Sequence, residues 1–142
     1  LGTTAEEFGD YIKVVRITEK MDFLNPTLIW QTKELIKSMP GISMHGSLPC
    51  TSISSLQNVN ISKYGLDFAQ RLHEDRRHLL KMLKTFIELA DLCLSLGGSV
   101  TFEWPRHCAG WLFKDLQNFI HKWNLYSVNV DGCACGSVDK DG

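Results

Sequence analysis

The chain has 142 residues, 44% of them hydrophobic and 22% charged, which suits one globular domain with its own core and excludes a disordered segment. Its formal net charge of -1 gives no global pull toward nucleic acid or an anionic membrane, so a polyanionic partner needs a local patch. No apolar run approaches the roughly 20 residues that span a bilayer, and no segment has the basic, apolar, small-residue order of a signal peptide. The five cysteines, Cys50, Cys93, Cys108, Cys133 and Cys135, are odd in number and irregular in spacing. They argue against a secreted disulfide framework and for a reducing, intracellular compartment, cytoplasm or nucleus. A start at Leu1 and a polar finish over Val138–Gly142 suggest that residues 1–142 are a single domain cut from a longer chain.

Ile12–Ile17 is β-branched and bounded by charges, as a buried strand is. Asn25-Pro26-Thr27 opens a helix, with proline pre-set for an early helical position, and Leu28, Ile29, Leu35 and Ile36 recur at helical spacing until Pro40-Gly41. Gly41–His45 reads as a second strand running into Gly46-Ser47-Leu48-Pro49-Cys50. Thr51–Ser62, rich in Ser and Asn and without a period, reads as a long loop. A long helix follows over Leu66–Leu96, with Leu72, Leu79, Leu80, Leu83, Phe86, Ile87, Ala90 and Leu94 on one stripe and Gly97-Gly98 as its stop. Ser99–Phe102 is a third strand, Trp111–Trp123 a helix with Leu112, Leu116, Phe119 and Ile120 inward, and Tyr126–Val130 a fourth strand.

Strands alternating with helices predict an α/β fold: a mostly parallel sheet, Rossmann-like and incomplete as a domain, with helices on both faces. In such folds ligands bind beyond the carboxyl ends of the strands. Two motifs fall there, Ser47-Leu48-Pro49-Cys50 and Phe102-Glu103-Trp104-Pro105. A thiol at Cys50 suits nucleophilic chemistry and a carboxyl at Glu103 acid chemistry. The plainer alternatives are a small buried hydrophobe and a surface acid.

The order of these motifs resembles that of the cytosine-5 DNA methyltransferases, a branch of the class I enzymes that use S-adenosylmethionine. There a Pro-Cys pair, a loop, a helix and an acid after the next strand follow one another. Here the series is Leu48-Pro49-Cys50-Thr51, the Ser/Asn loop, Asp75-Arg76-Arg77 to Leu96, and Glu103-Trp104-Pro105. The likeness covers roughly residues 12–133. It implies that Cys50 adds to C6 of a cytosine flipped out of the stack and that Glu103 holds the base edge. It also implies that Glu19 or Asp22, past the first strand, meets the cofactor's ribose or adenine, beside Ser47 and Pro49. Thr51 and Trp104-Pro105 depart from the family's tripeptides, and the glycine-rich cofactor turn is not found in this sequence.

Trp104 is a candidate for stacking on a base, whereas Trp111 and Trp123 have core spacing. Arg106 and His107 are placed to touch substrate. Arg71, Arg76, Arg77, Lys81 and Lys84, interleaved with His73 and His78, suit phosphate contacts, or else a solvated face with Glu74, Asp75 and Glu88. A zinc site from His107, Cys108, Cys133 and Cys135 is disfavoured, because Cys-x-Cys lacks the usual ligand spacing. Two rival readings stand beside the methyltransferase. One is a non-catalytic α/β module that binds nucleic acid or protein, as within a mobile-element polyprotein. The other is a different cysteine enzyme that pairs Cys50 with His45 or His107.

Overall fold

The computed structural model describes residues 14–18, 21–54 and 56–131. Its elements are α1 (Pro26–Ser38), β1 (Ser43–Ser47), a 3-10 turn (Thr51–Ile53), α2 (Leu56–Ser95), β2 (Ser99–Glu103), a second 3-10 turn (Ala109–Leu112) and α3 (Lys114–Lys122). The class is therefore α/β, with β1 and β2 forming a two-stranded parallel sheet among the described residues.

Local chemistry accounts for the element ends. Asn25 accepts the Thr27 amide on its side chain at 2.9 Å, and Pro26 fills the first helical position, where its missing N–H costs nothing. The long helix ends at Gly97, whose φ of +78° is left-handed. The Gly97 amide donates to Leu94 O and the Gly98 amide to Cys93 O, which satisfies two of the last carbonyls in a Schellman arrangement. Asn124, at φ +50°, ends α3 in the same way through the Leu125 amide and Ile120 O.

Met44, Gly46, Val100 and Phe102 face α2, and a Cβ on Gly46 would overlap the Phe86 ring, so that glycine allows helix and sheet to close on each other. The main core gathers Leu79, Leu83, Phe86, Trp104, Leu116 and Phe119, and a second cluster joins Ile36 of α1 to Leu89 and Cys93 of α2. Burial of this kind is worth roughly 1.5–3 kcal/mol for each large side chain. The opposite sheet face carries Ser43, His45, Ser47, Ser99, Thr101 and Glu103, all exposed. The expectation of helices on both faces is corrected for the described residues: α1, α2 and α3 all pack on one side.

Other expectations shift as well. Residues 14–18 are not a strand; Val14 and Val15 are exposed, and Ile12 lies outside the described residues. Thr51–Ser62 is not a loop but a 3-10 turn followed by the start of α2, which breaks at Gly65, where φ is +73°. Leu80 lies off the buried stripe, and Leu89 and Cys93 join it because α2 is covered by α1 as well as by the sheet. The Trp111–Trp123 helix is split by extended Phe113, leaving Leu112 82% exposed rather than inward. Tyr126–Val130 is not a strand; Tyr126 is 88% exposed, and no described strand offers it a ladder. Among the described residues, no helix is long and apolar enough to cross a membrane.

Candidate functional site

The site forms where β1 and β2 end. Their register pairs Ser47 with Glu103, so the two motifs leave the sheet side by side. Trp104 then turns inward and donates its indole N–H to Leu48 O at 2.7 Å, tying one motif to the other. Its ring meets Phe102, Trp111 and Phe113 edge-on, with centroids 4.8, 5.8 and 6.3 Å away. A Cβ on Gly110 would strike both this ring and Ile53 Cδ1, so the two 3-10 turns close over Trp104. Trp104 is thus part of the core rather than a free face for stacking a base.

The two residues proposed for chemistry point differently. Cys50 is half-buried against the main core and immediately precedes the first 3-10 turn. Glu103 lies on the open sheet face, where its Oε2 is 4.0 Å from His45 Nε2. The His45 ring also shares a 2.8 Å hydrogen bond between Nδ1 and Thr101 Oγ1. The backbone therefore brings the two motifs together, and the side chains occupy opposite sides of the strand ends. No imidazole among the described residues hydrogen-bonds the Cys50 sulfur, so the pairing of Cys50 with His45 or His107 has no geometric support there.

Ser47 and Pro49 are exposed at the same end. The Asp22 carboxylate accepts the Leu24 amide at 3.0 Å and holds the turn before α1. Glu19 lies outside the described residues. Arg106 and His107 are exposed on the connection after Trp104, without a described partner.

Beside the first turn lies a cleft of about 480 Å³. Pro49, Thr51 and Ser52 form one wall; Leu72, Leu79 and Met82 of α2 form the floor; Arg71, Asp75 and His78 stand on the rim. The wall is fixed from α2 by two side chains. Arg76 Nε donates to Ser52 O and Gln57 Nε2 to Thr51 O, each at 2.8 Å. Of the basic residues picked out on the long helix, Arg71 and His78 therefore face a cavity, Arg76 is structural, and Lys84 lies 3.7 Å from Asp115. Gln57 carries no signal in the sequence, since it lies in a polar stretch with the composition of a loop, and Cys108 carries none as a neighbour of Cys50, since spacing does not show that the two turns meet.

Burial pushes the Cys108 thiol up; the Gly110 amide pulls it down in part, and the Cys50 sulfur close by pushes it up again. Cys93, fully buried, is likewise pushed up by burial, and its thiol donates to Ile42 O at 3.3 Å. Among the described residues no three His, Cys, Asp or Glu side chains converge as a metal site requires, and Cys133 and Cys135 lie outside them. No known protein family, curated protein or solved structure matches this chain.

Proposed function

We propose that the chain is part of a Rossmann-like, class I methyltransferase domain that modifies cytosine in DNA through Cys50. The observation that carries this reading is the parallel pairing of β1 with β2, which sets the Pro49-Cys50 and Glu103 segments beyond the same sheet end. In this reading the Cys50 thiolate forms a bond to C6 of a flipped-out cytosine, which makes C5 electron-rich. Glu103, exposed and held only loosely by His45, rotates over the sheet end to hydrogen-bond the base edge. Arg106 and His107 meet the flanking phosphates.

The cofactor fits in part. Ser47 offers a hydroxyl at the sheet end where a ribose is met and Asp22 a carboxylate on the turn before α1, but the described residues form no glycine cradle for the methionine end. S-adenosylmethionine, when bound, supplies an electrophilic methyl group. The test is incubation with S-adenosylmethionine and duplex DNA containing 5-fluorocytosine. A denaturation-stable adduct mapped to Cys50, and lost in Cys50→Ser, is expected. Absence of the adduct while calorimetry shows the cofactor bound would overturn the mechanism.

A second reading is favoured by the cleft and by the inward lie of Cys50: a non-catalytic module that binds nucleic acid at the Arg71 and His78 rim. It predicts DNA binding that Cys50→Ala leaves unchanged and Arg71→Ala weakens several-fold, with no affinity for the cofactor.

A further inference from the structure

Cys50 and Cys108 occupy matching places. Each immediately precedes a 3-10 turn, and each turn follows one of the two paired strands. The turns touch, since Ile53 Cδ1 of the first stands against Gly110 of the second. Both cysteines belong to the same hydrophobic cluster, Cys108 buried within it and Cys50 packed against it but reachable from outside. Beside that shared packing, the Cys50 sulfur is among the groups that push the Cys108 thiol up. The remaining described thiol, Cys93, sits at the other end of the strands, bonded to Ile42 O and near Ser99 O.

We propose that Cys50 and Cys108 are a redox couple that closes to a disulfide across the carboxyl end of the sheet, with a small disulfide such as oxidised glutathione as oxidant. The half-exposed Cys50 thiolate attacks one glutathione sulfur, and one glutathione leaves as thiolate. Cys108, after losing its proton to solvent, attacks the Cys50 sulfur and expels the second glutathione. Two protein thiols have then lost two electrons and two protons, and the oxidant has become two thiols. The bond holds the Cys50 sulfur, so any chemistry of that thiol is switched off until a reductant restores it. The couple itself stands independently of the methyltransferase reading.

The folded full-length chain, equilibrated with oxidised glutathione, alkylated and digested without reductant, provides the test. A Cys50–Cys108 linked peptide lighter by two hydrogens is expected, with Cys93 still alkylated once the chain is denatured. In Cys108→Ser, with circular dichroism matching the parent, Cys50 should instead accumulate as a stable glutathione adduct at least ten-fold above its level in the parent. The proposal is overturned if the parent also retains that adduct with Cys108 free. It is overturned equally if Cys50 is found joined to Cys133 or Cys135.

Discussion

The two ends of the β1–β2 pair are closed by different means. At the amino end the backbone does most of the work: the Ser99 amide donates to Ile42 O, the Gly98 amide to Cys93 O, and the Cys93 thiol to Ile42 O. Small groups fit closely there, as the contact of Gly98 with Ile42 O and Cys93 shows. At the carboxyl end three aromatic rings around Trp104 support two short turns, and beside them remain a half-buried thiol and a cleft. Satisfying backbone groups locally makes a frame. Supporting turns on a few large side chains makes a surface that chemistry can use.

The largest test of this contrast is Trp104→Ala. Removing a buried indole and leaving Leu48 O without its donor should cost about 3–5 kcal/mol in urea unfolding. Hydrogen exchange would sharpen it. The Ile53 and Phe113 amides, which bond to Cys50 O and Gly110 O, should lose protection far more than Gly98 does. Equal loss at both ends would mean that the sheet ends form one cooperative unit, and the contrast would fail. Gly98→Ala is the reciprocal experiment. A Cβ there would lie 2.5 Å from Ile42 O and 2.6 Å from Cys93 Sγ, groups that cannot swing aside. The expected cost is about 1–3 kcal/mol, with protection lost first at the amino end.

What the sequence disclosed follows the same division between local and non-local causes. The Asn25-Pro26 start of α1, the Gly97-Gly98 stop of α2 and β2 at Ser99 were legible because caps, turns and periods act within a few residues. The order of the Pro49-Cys50 and Glu103 motifs was legible too. Their adjacency in a parallel pair followed from the alternation of elements. Tyr126–Val130 has the composition of a strand, but a strand also needs a ladder partner, and that is decided elsewhere in the chain. Thr51–Ser62 looked like loop because Ser and Asn are weak helix formers; the Gln57 bond to Thr51 O and the Asn60 bond to Gln57 tip it toward helix. Trp104 seemed a ligand platform because its fate depends on Leu48 O and Gly110, neither of them near it in pattern. The cleft stayed invisible because its walls come from separate elements.

A smaller effect separates the ends by pH. Near the amino end, Asp91 of α2 takes the Lys122 ammonium and the Trp123 indole N–H, each at 2.5 Å, and so fastens α3 to the frame. Burial pushes the Asp91 carboxyl up, but the hydrogen bonds from Lys122 and Trp123 and the charge of Lys122 outweigh it and leave it below the ordinary value. A carboxyl lowered by folding stabilises the protein above its unfolded pKa. That stability is lost as pH falls through the carboxylate range to the lowered value, because the unfolded chain then binds more protons. The side chain is 35% exposed, so solvent screening keeps the contribution to about 1 kcal/mol or less. Asp91→Asn should therefore lower the urea midpoint slightly at neutral pH and flatten the acid limb of the stability curve, with the turns around Trp104 unchanged by hydrogen exchange. An acid limb identical to that of the parent would mean that other carboxylates set it and that the Lys122–Asp91–Trp123 clamp adds nothing to the amino-end frame.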